Sequence, residues 1–140
     1  MTGSFLLKIS RNRWMAIAWS VLIFLLMMLP KRGIPNQGLF GIPHLDKLVH
    51  AVMFGLFVWF WYHAATRNGQ KSPRKTGWLL FLLAVAYGTG MEFVQHYFTD
   101  RDFDKWDILA DTLGAFAAWV LIRGSAKKVS PYGNRGRNQN

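Results

Sequence analysis

Acidic and imidazole side chains stand at or inside long apolar stretches of this sequence, where charged groups are costly to bury. Asp46 and His50 are four residues apart, so on a helix they share one face. Glu92 lies within another apolar stretch, and Gln95 follows it at helical spacing. An imidazole beside carboxylates can perform general acid–base chemistry. We expect His50 to be the acid or base, oriented by Asp46 or Glu92.

A second acidic pair and a charged connection complete the candidate site. Asp107 and Asp111 open the next apolar stretch with the same four-residue spacing, and the connection before them, TDRDFDKW, adds Arg101 and Asp104. A guanidinium fork binds phosphate or carboxylate groups through two parallel hydrogen bonds, so Arg101 suits an anionic ligand. We expect Arg101, Gln95 and the three aspartates to contact a ligand.

The same side chains are candidate ligands for a cation. One imidazole nitrogen and several carboxylate oxygens suit a divalent ion such as Mg²⁺, Mn²⁺ or Ca²⁺ better than structural zinc. The candidate metal ligands are His50, Glu92, Asp107 and Asp111. Cysteine is absent and no serine lies near these motifs, which disfavours covalent catalysis. A water-activating or metal-assisted reaction fits better, and whether the chain is an enzyme stays open at this stage.

Each charged residue also has a purely structural interpretation. Asp46 and Asp107 stand where helices begin and can cap a helix or oppose its dipole. Glu92 can form a buried ion pair with Arg101 or a hydrogen bond with Gln95. Arg101 can instead pair with Asp104, and His50 can pair with Asp111. Lys47 can extend its amino group towards the membrane interface. Under this interpretation the polar network only stabilises the packing of the helices.

Four apolar runs are long enough to position these motifs. They cover residues 14–29, 48–65, 78–98 and 107–122. Crossing the hydrocarbon core takes roughly 20 helical residues, and backbone groups in lipid must be paired internally. The sequence therefore predicts an all-α membrane protein with a four-helix transmembrane bundle. This domain occupies residues 1–123, and a basic, disordered cytoplasmic tail occupies residues 124–140.

The distribution of charge predicts the orientation. Twelve of the 17 Lys and Arg residues lie at the N-terminus, in the second connection or in the tail, and five lie on the other side. The positive-inside rule therefore predicts that both termini are cytoplasmic. All seven carboxylates lie in or near the opposite, outward half. The net charge of +10 is explained by topology, so we expect the lipid bilayer and no nucleic acid as a partner.

The ordered set of motifs resembles the VanZ-like family of small bacterial integral membrane proteins. The residues that carry the resemblance are Asp46-Lys47-x-x-His50, Glu92-x-x-Gln95, Arg101, Asp104 and Asp107-x-x-x-Asp111-x-x-Gly114. They cover about residues 40 to 120. At position 111 we expect Asn in the family, so Asp111 adds a carboxylate to the pocket.

The resemblance implies a multi-pass protein of the bacterial cytoplasmic membrane that acts in the cell envelope. Its outward-facing pocket would bind or modify an envelope or lipid-linked molecule, such as a glycolipid or a peptidoglycan precursor. The family's namesake is linked to resistance to the glycopeptide teicoplanin, so lowered glycopeptide susceptibility is another implied role. The alternative is a non-enzymatic structural or partner-binding protein. A third interpretation is a transporter. A transporter would need a second half, which a homodimer of this chain would supply.

Overall fold

The computed structural model describes residues 12–29, 44–66, 73–99 and 101–128. Its regular elements in these ranges are the helices α1 (Arg13–Met27), α2 (Leu45–Ala65), α3 (Pro73–Phe98) and α4 (Lys105–Lys128). No strand occurs among the described residues, so the all-α prediction is confirmed for them. Helix α4 continues through 124–128, the first part of the segment predicted as a tail, and 129–140 lie outside the described residues.

Side-chain caps explain where α1 and α4 begin. Asn12 Oδ1 accepts a hydrogen bond from the Trp14 amide at 3.1 Å, and Asp104 Oδ1 accepts one from the Trp106 amide at 2.8 Å. A short polar side chain at this position satisfies an amide that has no partner within the helix. The expectation that Asp107 caps the fourth helix is therefore wrong, because Asp104 fills that role.

Helix α2 begins without a side-chain cap. The residue before it, His44, has a φ of 62°, in the left-handed region that few residues other than glycine adopt. Asp46 therefore lies in the first turn of α2 and not at its N-cap, which corrects the capping interpretation. A carboxylate in the first turn still interacts favourably with the helix dipole.

Helix α2 lies at the centre of the arrangement and contacts the other three helices. Its most extensive interface is with α4, which also packs against α3, whereas α1 packs mainly against α2. Side chains from the start of α2, the end of α3 and the start of α4 meet at one end of the bundle. We call this the site end.

Helices α2 and α4 cross closely, within one turn of the site end's polar residues. Gly114 stands so near the carbonyl group of Ala51 that a Cβ at position 114 would overlap it. A Cβ on Gly55 would lie 3.1 Å from the Gly114 carbonyl oxygen. Ala115 and Ala118 are buried on the same helix. Small residues thus allow the two backbones to approach to a distance that larger side chains would prevent.

The bundle is apolar outside and polar inside at one end. Large exposed apolar side chains occur on all four helices, with Leu25 on α1 and Leu113 on α4 56% and 57% exposed. Within the described part of the chain, the buried polar residues are His50, Glu92, Gln95, Asp107 and Asp111. By length and composition, α2 and the 25 residues from Arg74 to Phe98 could each cross a membrane, and α1 is a shorter apolar helix.

Candidate functional site

A buried imidazole–carboxylate pair joins α2 to α4. His50 Nδ1 lies 3.0 Å from Asp111 Oδ1, and the two side chains are 6% and 1% exposed. The close helix crossing at Gly114, one turn further along α4, brings the pair together. In a neutral imidazole this contact places the proton on Nδ1 and leaves the Nε2 lone pair available. Asp111 thus occupies the orienting position expected for Asp46 or Glu92.

Gly88 on α3 makes space for the Asp111 carboxylate. A Cβ at position 88 would lie 2.6 Å from Asp111 Oδ2, so any larger residue would displace that oxygen. Among the described residues, Asp111 Oδ2 has no hydrogen-bond partner. One oxygen of Asp111 therefore holds His50, and the other lies buried against α3.

Asp107 lies between the imidazole and two cationic side chains. Its Oδ2 is 3.8 Å from His50 Nε2 and 3.9 Å from Arg101 Nη2. Its Oδ1 accepts a hydrogen bond from Lys47 Nζ at 2.8 Å. The Asp107 side chain is buried although it stands in the first turn of α4. Asp107 is therefore a central residue of the site.

Lys47 is the site residue that the sequence interpretation missed. Its amino group donates to Asp104 Oδ2 and Asp107 Oδ1, each at 2.8 Å, and lies 3.4 Å from Asp46 Oδ2. The sequence analysis gave Lys47 a place at the membrane interface and did not predict these contacts with carboxylates. The signal was present in the sequence: Lys47 stands three residues before His50 and so shares its helix face.

Glu92 brings a carboxylate from α3 into the same space. It is 1% exposed, and its Oε2 accepts a hydrogen bond from the Asp104 amide at 3.1 Å. Its Oε1 is buried and has no hydrogen-bond partner among the residues that the structure describes. Arg101, the partner considered from the sequence, lies beside Asp107 instead. Glu92 therefore presents an oxygen whose hydrogen-bonding capacity is unused.

Three of the predicted metal ligands converge. One nitrogen or oxygen atom from each of His50, Glu92 and Asp107 lies within 4.8 Å of the other two, and all three residues are buried. Asp111, the fourth predicted ligand, contacts the opposite nitrogen of the imidazole. Asp46 and Asp104 are more exposed than this group, with 45% and 36% of their side chains accessible. They form the rim of the site.

Gln95 belongs to a different contact. Its Nε2 donates to the Met27 carbonyl oxygen at 2.7 Å, which ties the end of α1 to α3. Gln95 is buried, whereas its neighbour His96 is exposed. The sequence could not decide which of these two residues points inwards, and the structure shows that it is Gln95. This hydrogen bond to the end of α1 supports a structural role for Gln95.

An apolar groove lies between α1, α2 and α3, deeper in the bundle than the site. It has a volume of about 520 Å³ and is lined mainly by apolar side chains, including Val21, Phe24 and Leu83. The polar groups in its wall are paired with one another: Trp61 Nε1 donates to Ser20 Oγ at 3.0 Å, for example. The groove therefore offers a dry surface suited to a hydrocarbon chain.

Comparison with known proteins gives a family and one distant relative. The sequence profile of the VanZ/LLP1 family matches residues 5–126, which include every motif on which the resemblance rests. An uncharacterized protein of the fission yeast Schizosaccharomyces pombe is 31% identical over 101 residues, which cover 71% of this chain and 59% of that protein. The chain thus spans about three-fifths of the curated relative it matches. No solved structure matches the chain.

Proposed function

The chain belongs to the VanZ/LLP1 family, and we propose that it is a multi-pass membrane protein that binds the polar head of a lipid-linked molecule at the site end. The observation that carries this proposal is the location of His50, Glu92, Asp107 and Asp111. These ionisable residues are buried together at one end of a bundle whose outer surface is apolar. Intramembrane ionisable groups are costly and usually mark a ligand or proton site.

The apolar exterior supports the membrane setting. Exposed leucines on all four helices would drive association in water, whereas lipid solvates the same surface. We infer four membrane spans with both termini cytoplasmic, because Lys and Arg concentrate on the side of the termini. The site end then faces outwards, where a head group can enter from the outer leaflet. In a bacterium this membrane is the cytoplasmic membrane.

Two partly exposed cationic side chains at the site end favour a head group that carries phosphate. The side chains of Lys47 and Arg101 are 24% and 15% exposed, so both can be reached from the open end. A guanidinium and an ammonium group bind phosphate oxygens through charge-assisted hydrogen bonds. Because a relative occurs in a eukaryote, we propose a ligand chemistry that every membrane offers. An envelope glycolipid or a peptidoglycan precursor is a bacterial form of such a ligand.

The apolar groove supplies a place for the hydrocarbon chain of the same molecule. Tyr87 in its wall stands five residues before Glu92, about 7.5 Å along the axis of α3. The groove and the site are thus near each other along α3, and we propose that they bind the chain and the head of one amphiphile. This pairing of a charged site with a dry groove favours a lipid over a small polar molecule.

The geometry also supports acid–base chemistry on the bound head. His50 Nε2 faces the space beside Glu92 and Asp107, and Asp111 stabilises a protonated imidazole from the opposite nitrogen. When no ion occupies Nε2, His50 could take a proton from a water molecule or a hydroxyl group. Such a step is a hydrolysis or transfer that needs no side-chain nucleophile.

Native mass spectrometry of the detergent-purified full chain tests the proposal. We expect the wild type to retain phosphatidic acid more strongly than a diacylglycerol with the same acyl chains. Arg101→Gln should reduce that preference by about tenfold, the effect of roughly 1.4 kcal/mol of charge-assisted binding. Arg123→Gln removes an exposed arginine elsewhere on α4 and should leave the preference unchanged. Equal retention of the two lipids by the wild type would contradict head-group recognition.

A structural role is the second candidate, favoured by the two hydrogen bonds of Lys47 to Asp104 and Asp107. In that case the network would stabilise the bundle, and the chain would act without turnover or through a partner protein. The lipid experiment separates the candidates, because a purely structural network gives no head-group preference. The implied link to teicoplanin susceptibility stays a prediction for this chain.

A further inference from the structure

We propose that His50, Glu92 and Asp107 form a binding site for a divalent cation, with Asp111 orienting the imidazole. The ion site rests on the geometry of these side chains. Its role in binding a lipid phosphate, by contrast, rests on the function proposed above. The two claims can therefore fail separately.

The distances between the three residues fit ligands of one ion. Two ligand atoms that are each roughly 2.1 Å from a metal ion lie about 3 to 4 Å apart. His50 Nε2 and Asp107 Oδ2 are separated by 3.8 Å, which is too long for a hydrogen bond and suited to a shared ion. Glu92 completes a set whose atoms lie within 4.8 Å of one another. Small side-chain movements would bring all three onto one cation.

One oxygen of the Glu92 carboxylate lacks a hydrogen-bond partner. Glu92 Oε2 is held by the Asp104 amide, and Glu92 Oε1 has no hydrogen-bond partner among the described residues. Buried carboxylate oxygens normally have a hydrogen-bond partner, so the exception at Glu92 Oε1 indicates a ligand-binding position. Three helices contribute the side chains, and the backbone amide fixes one of the carboxylates in place. A cation would satisfy the free oxygen of Glu92.

Asp111 gives the site the outer contact typical of metal-binding histidines. A histidine that ligates a metal usually donates its other ring N–H to a carboxylate or carbonyl group, which fixes the tautomer. The Nδ1 of His50 lies 3.0 Å from Asp111 Oδ1, and Nε2 faces Asp107. The imidazole is thus held with its lone pair directed at the other two ligands.

The balance of charge favours a cation over a closed ion-pair network. Five carboxylates surround the site, on Asp46, Glu92, Asp104, Asp107 and Asp111. Lys47 and Arg101 form ion pairs with members of this group, and the His50 imidazole lies beside Asp107 and Asp111. A divalent ion would add two positive charges to this group of carboxylates. It would also let an acidic pocket accept a phosphate oxygen at an open coordination position.

Mn²⁺ is the probe that this donor set suits best. Mg²⁺ prefers oxygen ligands and retains its water, whereas Mn²⁺ accepts carboxylates and imidazole in one site. Mn²⁺ is also paramagnetic, so a nitrogen ligand is detected directly by electron spin-echo envelope modulation. The full chain, stripped with EDTA and placed in phosphatidylcholine nanodiscs, should bind a single Mn²⁺ with a nitrogen coupling from one imidazole.

Matched variants identify the ligands. His50→Asn should remove the nitrogen coupling, and Glu92→Gln should weaken Mn²⁺ binding by about tenfold or more. Asp102→Asn removes an exposed carboxylate from the same connection and should leave binding unchanged. Asp111→Asn keeps an oxygen acceptor for the imidazole N–H, so the nitrogen coupling should persist.

Two results would overturn the assignment. One is a wild-type chain that shows no saturable binding of Mn²⁺, which does not depend on the folding of any variant. The other is Mn²⁺ binding with no imidazole coupling. Mn²⁺ binding without any preference for phosphatidic acid would support the ion site and contradict the lipid function. A preference for phosphatidic acid that persists in EDTA, in a chain that binds no Mn²⁺, would support the lipid function and contradict the ion site.

Discussion

The two sides of α2 are built in opposite ways. Towards α4, Ala51 and Gly55 meet Gly114, and the helices approach until no Cβ fits between them. Towards α1 the contacts are made by large aromatic residues, such as Trp19, whose Nε1 donates to the Met53 carbonyl oxygen at 3.0 Å. That side leaves an open groove of about 520 Å³.

The tight side of α2 positions the polar side chains of the site, and the open side leaves space for an apolar ligand. Acid–base and cation chemistry need atoms held to within about half an ångström, which a tight backbone crossing provides. A hydrocarbon chain has no directional bonds, so a loose wall of large apolar residues is sufficient for it. Helix α2 thus presents a precise polar face to α4 and a permissive apolar face to α1.

The largest expected effect is on the tight side, at Gly114. Gly114→Ala places a Cβ where the Ala51 carbonyl group lies, and the overlap is with backbone, which cannot rotate away. We expect a loss of about 2 to 3 kcal/mol in the free energy of unfolding, typical of overpacking. Unfolding in mixed micelles with increasing SDS measures this change.

Gly90→Ala is the matched control for that substitution. A Cβ at position 90 of α3 would meet nothing within 4 Å, so the exchange should gain up to about 1 kcal/mol from helix propensity. If the two variants have the same stability, the α2–α4 crossing is not as tight as described and the comparison fails.

A smaller effect is expected at Asp111, on the same side. Asp111→Leu removes the acceptor from the buried imidazole N–H, which costs about 1 to 3 kcal/mol. Asp111→Asn keeps an oxygen in that position and should cost less than about 1 kcal/mol. The same SDS titration compares them. Equal losses in both variants would mean that the charge of Asp111, and not its hydrogen bond, holds His50 in place.

The sequence predicted the all-α class and named most of the residues that meet at the site end, because both depend on local patterns. Long apolar runs indicated the helices, and four-residue spacing placed Asp107 and Asp111 on one face of α4. Burying a polar residue inside an apolar run is costly, so Glu92 was identified from the sequence as a candidate site residue.

Pairing across helices could not be predicted in the same way. The pair of His50 and Asp111 was one of several alternatives, because the carboxylate that contacts His50 depends on how deeply α2 and α4 cross, and no spacing within either helix specifies that depth. Lys47 was assigned to the membrane interface for the same reason, since its partners lie on another helix and the connection before it. The apolar groove could not be predicted from the sequence, because its lining residues are ordinary for a lipid-facing surface.

The smallest effect on stability is expected on the permissive side. Val21→Trp adds a large apolar side chain to a groove with space for it, so the free energy of unfolding should change by less than about 0.5 kcal/mol. The added ring occupies the volume assigned to the hydrocarbon chain, and retention of phosphatidic acid in native mass spectrometry should fall several-fold. Mn²⁺ binding should stay as in the wild type, since the ion ligands lie at the site end. Unchanged lipid retention would mean that the groove does not bind the hydrocarbon chain and that the lipid is recognised through its head group alone.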